Sequence, residues 1–173
     1  MRHAHIPGVK VKARFTLEKG RRYRHWMEIT HSQRPKTGKT VCVIMQNPSY
    51  ADASWADKSV QFMEKIVFER GLEAFGRARR LIVVNLYALV QTHDFQGRPE
   101  DIGASNNRAI RAAFWASEIV ILGWGKSDCF QDRRQTVLEW LPGRPGQKLY
   151  QTRKHPSRGF YEGFIHPYER QKS

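Results

Sequence analysis

Residues 41–49 have the sequence Val-Cys-Val-Ile-Met-Gln-Asn-Pro-Ser, an apolar run that becomes polar at its end. A short run without polar positions is typical of a parallel β-strand covered on both faces. Similar runs occur at 81–84 and 119–122, and the less apolar segment Lys148-Leu149-Tyr150-Gln151 predicts a last short strand. The pattern predicts four parallel strands, each ending at a polar motif.

Helices are predicted between these strands. Apolar residues recur with helical spacing from about Asp57 to Arg70, before Gly71. Two further helices are predicted at about 105–116 and 128–141. Because strands and helices alternate, we expect a three-layer α/β/α fold with a central, mostly parallel four-stranded sheet.

The N-terminal part differs from this pattern. Residues 9–31 alternate apolar and polar positions around Lys19-Gly20, which predicts a basic β-hairpin. A chain of 173 residues with 40% hydrophobic content is long enough for one ordinary core. We expect a single domain, 1–173, in which a basic hairpin and loop (1–39) precede an α/β/α core (40–166).

The net charge of +14 is unevenly distributed. Residues 1–40 hold 11 Lys or Arg against 2 acidic residues, 41–141 hold 12 against 12, and 142–173 hold 7 against 2. Two basic ends around a neutral centre predict an electropositive face that forms where the ends meet and binds a phosphate backbone. The alternative is that the charge only keeps the protein in solution.

The sequence does not favour a membrane protein, a secreted protein or a metalloprotein. No apolar run approaches the ~20 residues of a membrane span, and the N-terminus leads into no signal-peptide core, so we expect a cytoplasmic protein without a membrane partner. Cys42 and Cys129 lack the spacing of metal ligands. For His3 and His5, a solvated terminus is favoured over a metal site. No metal and no cofactor are predicted.

Polar motifs follow each predicted strand. Ligands of open α/β sheets bind outside the carboxyl ends of the strands, so we expect these motifs to converge in one cleft. They are Gln46-Asn47-Pro48, Asn85, Leu122-Gly123-Trp124-Gly125-Lys126 and His155-Pro156-Ser157.

In this order, the motifs resemble those of the uracil-DNA glycosylase superfamily, over roughly Val41 to Phe164. The chain is also similar, and more closely, to a family of uncharacterised bacterial and phage proteins with Asn-Pro-Ser-x-Ala-Asp, Asn-Leu-(Tyr/Phe)-Ala and Trp-Gly motifs. Asn47 to Asp52, Asn85 to Ala88 and Trp124-Gly125 fit that pattern. The functional expectations come from the glycosylase resemblance.

The glycosylase resemblance implies a role for each motif. His155 would hydrogen-bond a flipped base and stabilise the negative charge that develops as the N-glycosidic bond breaks. Asn47 would position the attacking water. Asn85 would read the polar edge of the base, with Gln46 as a further base-binding residue. Tyr50, Phe62 and Tyr87 are candidates for stacking on the flipped base. The residues implied to contact DNA are Ser49, Lys126, Lys154, Pro156, Ser157, Arg158 and the backbone amide of Gly159.

Several roles have alternatives. The most active branch of the superfamily has Asp in place of Asn47, and an amide cannot act as a general base. Asp52 and Asp57 are both candidates for the missing carboxylate, although helix capping is the favoured role for Asp57. Asn85 is equally well explained as a buried amide. For Trp124, packing is favoured over base stacking.

These features lead to one leading hypothesis and two alternatives. The chain is expected to be a monomeric, monofunctional DNA glycosylase that acts on double- or single-stranded DNA and leaves an abasic site. Ser49 stands where the uracil-selective branch has a bulky Tyr, which favours a modified pyrimidine, such as those of phage DNA, and a role in antiviral defence. The alternatives are a non-catalytic DNA- or RNA-binding module and, less favoured, a nucleoside or nucleotide hydrolase.

Overall fold

The computed structural model describes residues 2–125, 128–141 and 143–169. Within these ranges the chain forms seven β-strands and three α-helices. The strands are β1 (Val9–Glu18), β2 (Arg21–His31), β3 (Lys39–Met45), β4 (Ala78–Asn85), β5 (Ile119–Leu122), β6 (Lys148–Thr152) and β7 (Ile165–Pro167). The helices are α1 (Lys58–Phe68), α2 (Asn106–Trp115) and α3 (Gln131–Leu138).

All seven strands belong to one mixed sheet, in the order β1-β2-β4-β3-β5-β6-β7. The α/β class is therefore confirmed, but the predicted four-stranded sheet is too small. Strands β4, β3, β5 and β6 pair in parallel, as expected. The predicted hairpin forms as β1 and β2, and residues 27–30 of β2 pair antiparallel with β4. The added strands cover both edges of the parallel sheet, which otherwise expose unpaired backbone groups.

The apolar runs are buried on both faces of the sheet. Alternate side chains of β3 point in opposite directions: Val41 and Val43 pack with α1, whereas Cys42 and Ile44 pack with α2 and α3. The runs 41–45, 81–84 and 119–122 therefore contain no polar residue. No helix within the described ranges is both long and apolar enough to cross a lipid bilayer.

The helix ends follow from local chemistry. Helix α1 begins after Asp57, whose carboxylate accepts a hydrogen bond from the Val60 N–H at 2.9 Å. Helix α3 is shorter than predicted, because Phe130 has a left-handed backbone (φ 62°). The Phe130 ring packs edge-on against Tyr87 and Phe95.

The chain topology creates a crevice at one end of the sheet. Strand β3 continues through α1 to β4 on one side, whereas its neighbour β5 continues through α3 to β6 on the other side. Since α1 and α3 lie on opposite faces, the chain segments that leave β3 and β5 diverge. Such a switch point is where open α/β sheets bind their ligands.

Candidate active site

Two adjoining concavities open at the carboxyl ends of β3, β5 and β6, and Asn47 and His155 line both of them. We call them the first concavity (about 490 Å³) and the second concavity (about 340 Å³), and together the cleft. The first is lined by Gln46, Asn47, Trp124, Gly125, Arg153, Lys154, His155, Ser157 and Arg158. The second is lined by His3, Arg24, Met45, Asn47, Ser49, Tyr50, Asp57, Lys58, Ser59, Gln91, Thr92 and His155. Three of the four predicted motifs therefore meet here.

His155 enters the cleft from the turn that follows β6. Its Nδ1 accepts a hydrogen bond from the Ser157 N–H at 3.3 Å and lies 3.0 Å from the Ser157 hydroxyl. A backbone N–H can only donate, so Nδ1 carries no proton and Nε2 carries it instead. Burial lowers the pKa of His155, and the charges of Arg158 and Arg134 add to this effect, against the opposing charge of Asp57. At neutral pH His155 is therefore an uncharged hydrogen-bond donor.

The turn after β5 supports the backbone of this histidine. Gly125 has a φ of +72°, and a Cβ added to it would lie 2.6 Å from the His155 nitrogen. Only glycine allows this close approach. The neighbouring Trp124 is buried in the core and lies under the Arg134 guanidinium, so the favoured packing role agrees with its position, although Trp124 also lines the cleft.

Asn47 is held in place by its amide nitrogen. Nδ2 donates to the Gln91 carbonyl at 2.7 Å and to the Pro48 carbonyl at 3.3 Å. Both amide protons are thereby used, and no donor in the described part of the chain reaches the side-chain oxygen. This oxygen is suited to accept a hydrogen bond from a water molecule. It is not basic enough to take the proton of that water.

The two candidate carboxylates lie in different places. Asp57 lines the second concavity, and only its Oδ1 is used in capping α1, since the structure as described has no donor for the second oxygen. Asp52 lines neither concavity, and its Oδ1 accepts from the Ser54 and Trp55 N–H groups. The predicted capping role of Asp57 is confirmed, and the same residue faces the cleft.

Of the predicted base-binding residues, Gln46 and Tyr50 line the cleft. Asn85 does not: it is 1% exposed, and its side-chain oxygen accepts from Arg24 at 3.2 Å. Of its two predicted roles, Asn85 therefore has that of a buried amide, because the hairpin places Arg24 across the end of β4.

Two predicted stacking residues pack within or against the hydrophobic core instead: Tyr87 is buried in it, and the half-buried Phe62 packs against it. The Tyr87 ring packs edge-on against Phe95 at 5.2 Å, and the Phe62 ring packs edge-on against Phe164 at 4.8 Å. Neither lines a concavity. The prediction that they stack on a base disagrees with this structure, since aromatic side chains near a strand end also complete the hydrophobic core.

The predicted DNA-contacting residues are only partly available. Lys154, Ser157 and Arg158 line the first concavity, and Ser49 lines the second, with its hydroxyl 3.2 Å from that of Thr92. Pro156 is buried. The Gly159 N–H donates to the Pro156 carbonyl at 3.2 Å, so the turn itself uses the amide that we expected to hold a phosphate. Lys126 lies outside the described residues.

The cleft also contains residues that the sequence analysis did not identify. They are His3, Arg24, Met45, Lys58, Ser59, Gln91, Thr92 and Arg153. The Asn-Pro dipeptide at 47–48 signals a turn, but nothing in the sequence shows that Gln91 holds it. Arg24 is buried because of a β-bulge: the register shifts at Arg14/Phe15, and three consecutive residues of β2, Tyr23 to His25, become buried.

The N-terminal residues are not a solvated terminus, contrary to expectation. His3 pairs with Ala56 through two backbone hydrogen bonds. The half-buried His5 ring contacts the Glu64 carboxylate and donates to the Asp52 carbonyl at 2.9 Å. Across the described ranges, no three His, Cys, Asp or Glu side chains are grouped to hold a metal ion.

The profile of DUF1643, a family described as a protein of unknown function, matches residues 22–158. The chain belongs to this family. No match was found among curated proteins or among solved structures. The DUF1643 region runs from the start of β2 to the turn after His155, so it contains every residue that lines the cleft except His3. It excludes β1 and β7, at the two edges of the sheet.

Proposed function

We propose that the protein is a DNA glycosylase, which flips a modified pyrimidine out of DNA and hydrolyses its N-glycosidic bond to leave an abasic site. The observation that carries the proposal is the convergence of three groups on one cleft: the Nε2–H of His155, the side-chain oxygen of Asn47 and the carboxylate of Asp57. N-glycosidic hydrolysis requires a donor for the leaving base, an acceptor for the water and a negative charge near the sugar.

Each group has one role in the proposed reaction. As the glycosidic bond breaks, the base gains negative charge, and the uncharged His155 stabilises it by donating from Nε2. Asn47 holds the water that attacks the sugar carbon. The carboxylate of Asp57 stabilises the positive charge on the sugar and takes the proton of the water. The carboxylate that Asn47 cannot supply is therefore provided by the residue that begins α1.

The rim of the first concavity supports a DNA partner. Arg153, Lys154 and Arg158 are all exposed there. Because the amides of the turn are used internally, phosphate contacts come from these side chains. The order of the motifs on the four central parallel strands supports a relationship to the uracil-DNA glycosylase superfamily.

The second concavity supports a modified base as substrate. Ser49 lines it, where the uracil-selective branch has a larger Tyr, so a group attached to the base has more room. Modified pyrimidines of phage DNA are suitable substrates, and their removal would make the protein an antiviral factor.

The test is incubation with duplex and single-stranded DNA containing uracil, mismatched bases or phage-type modified pyrimidines. Abasic sites are detected as strand breaks that appear only after alkali, since a monofunctional enzyme does not cut the strand. We expect release from at least one substrate, and loss of release in His155→Ala. Tight binding without release from any substrate would instead support the non-catalytic module, and full activity of His155→Ala would refute the assigned site.

A further inference from the structure

Arg24 is a buried cation beside the cleft. It is 1% exposed, the largest side chain among the fully buried ones described, and it lines the second concavity together with Asp57 and His155. Burial lowers the pKa of Arg24 to about 10, so it remains protonated at neutral pH. The bulge in β2 directs it inward, whereas Arg22 of the same strand is exposed.

The hydrogen-bond partners of Arg24 are few and neutral. Its terminal nitrogens donate to the Ala51 carbonyl at 3.0 Å and to the Asn85 side-chain oxygen at 3.2 Å. No carboxylate of the described residues lies within 4.0 Å of its guanidinium, and its Nε–H lacks an acceptor. The Nδ2 of Asn85 also lacks one. Buried donors and an unpaired charge are costly, so the interior directly behind this wall of the cleft is short of acceptors.

We propose that Arg24 recognises the target base and that the base is of the cytosine type, bound through its N3 and O2 atoms. The inference rests on the proposed function, because it takes the ligand to be a flipped nucleobase. A guanidinium has several N–H groups in one plane and binds two neighbouring acceptors at once. Arg24 thereby takes the role that the resemblance assigned to Asn85, whose oxygen it already occupies.

The N–H donors of Arg24 match the hydrogen-bonding edge of cytosine and not that of the other pyrimidines. Cytosine presents two adjacent acceptors, N3 and O2, on the edge that glycosylases recognise in a flipped base. Uracil and thymine carry a proton on N3, which would face the N–H groups of Arg24. A substituent on C5 of cytosine points away from this edge. The assignment is therefore compatible with a modified base.

The experiment measures binding without catalysis. The ligands are single-stranded oligonucleotides built of stable abasic units, with one nucleotide that carries a base at the centre. A 2′-fluorine on the sugar of this nucleotide blocks cleavage of its glycosidic bond. The central base is cytosine, 5-hydroxymethylcytosine, uracil, thymine, guanine or 3-deazacytosine, which lacks the N3 acceptor. We expect both cytosines to bind at least about tenfold more tightly than uracil, thymine and 3-deazacytosine. Equal affinity for cytosine and uracil, or for cytosine and 3-deazacytosine, would overturn the proposal, as would a preference for guanine.

Protein variants provide a second comparison. Arg24→Lys keeps the charge but not the planar pair of donors, so it should lose the preference for cytosine and keep the salt dependence of binding. Arg22→Lys, at an exposed position of the same strand, should keep the preference. An unchanged preference in Arg24→Lys would refute the role of Arg24. Base release is measured separately, so a cytosine preference without release refutes the proposed function and not this inference, and release without preference does the reverse.

Discussion

At the scale of single residues, the proton on His155 determines what the cleft can do. Protonation of Nδ1 would place two N–H groups face to face and break the bond from Ser157 that shapes the turn. Because burial lowers the pKa of His155 below its usual value, the ring resists protonation in the folded state. The stability this provides is present above the unfolded pKa of about 6.5 and is lost as the pH falls through the folded value.

We therefore predict that NMR titration of His155 gives a pKa below that of a model histidine. The ring nitrogen shifts should identify the Nε2–H form at neutral pH. If the protein releases bases, the rate should stay constant from neutral to mildly alkaline pH and fall in acid. A folded pKa above about 6.5 would contradict the assignment.

Asp57 and Asp52 form a matched pair for testing the source of the carboxylate. Asn caps a helix about as well as Asp, so Asp57→Asn removes the charge and keeps the start of α1. We predict that this variant loses base release by about 10²–10⁴-fold, the usual contribution of a general base. Asp52→Asn, outside the cleft, should remain active. Melting temperatures of both variants serve as the control for folding, and equal activities would refute the role of Asp57.

Among the residues of the site, those that directly follow a predicted strand were the easiest to identify from the sequence. Asn47 follows an apolar run and His155 follows a short predicted strand, and the carboxyl ends of parallel strands meet at one edge of a sheet. Arg24 was not predictable, because its burial depends on a bulge that leaves no pattern in the sequence of the hairpin. For the same reason, the sequence left open whether Asn85 binds the base or is a buried amide.

At the scale of elements, the turn after β5 and the turn after β6 form one unit. Gly125→Ala adds a methyl group 2.6 Å from the His155 nitrogen, where backbone cannot yield. We predict a loss of stability of about 2–4 kcal/mol, from left-handed strain and overpacking together, and a displaced His155.

Gly146→Ala is the control, since its φ is also positive (+78°) but no atom lies within 4 Å. It should lose only about 1–2 kcal/mol. Equal losses in urea unfolding would show that the contact is unimportant.

The N-terminal segment is fastened to α1 by His5 and Glu64. Burial opposes protonation of His5, but the hydrogen bond to Glu64 and the carbonyl of Asp52 outweigh it and raise the pKa of His5. The resulting stability is complete below the unfolded pKa of about 6.5 and is lost as the pH rises through the folded value.

We predict that Glu64→Gln destabilises the protein more at pH 6 than at pH 9. The substitution removes the ion pair between His5 and Glu64, and this pair exists only at the lower pH, where His5 is charged. Thermal unfolding at the two pH values provides the measurement, with Gln61→Ala on the same helix as a control for general effects. A larger loss at pH 9 would show that His5 is uncharged in the folded protein.

The elements themselves were predictable to different degrees. Strand β5 has the predicted bounds, since four apolar residues buried on both faces leave little ambiguity. Strand β7 has only three residues, none of them buried, and its position depends on β6. Residues 9–31 indicated a hairpin, but not that β2 would pair with β4, because that pairing joins residues that are 50–56 positions apart in sequence.

At the scale of the whole molecule, the strands of the two basic ends lie at opposite edges of the sheet, but residues of both ends meet at the cleft, where His3 and Arg24 line the second concavity with His155. The hairpin forms one edge of the sheet, and β6 and β7 form the other. Since β1 runs parallel to β4 and β3, the tip of the hairpin lies at the same end of the sheet as the cleft. Basic residues therefore lie on both sides of this end of the sheet, with the exposed Arg22 near the tip of the hairpin and Lys154 and Arg158 at the cleft.

This arrangement predicts that nucleic-acid binding depends on which end of the sheet loses charge. Lys154→Ser with Arg158→Ser removes two exposed cations at the cleft, and Lys10→Ser with Lys148→Ser removes two near the opposite ends of β1 and β6. Each phosphate contact adds about 0.9 to the slope of log K against log salt concentration for duplex DNA. The cleft variant should therefore lower the magnitude of the slope by up to about 1.8, whereas the control should leave it unchanged. Because both variants change the net charge equally, equal slopes would mean that DNA contacts the protein through its overall charge and not through the cleft.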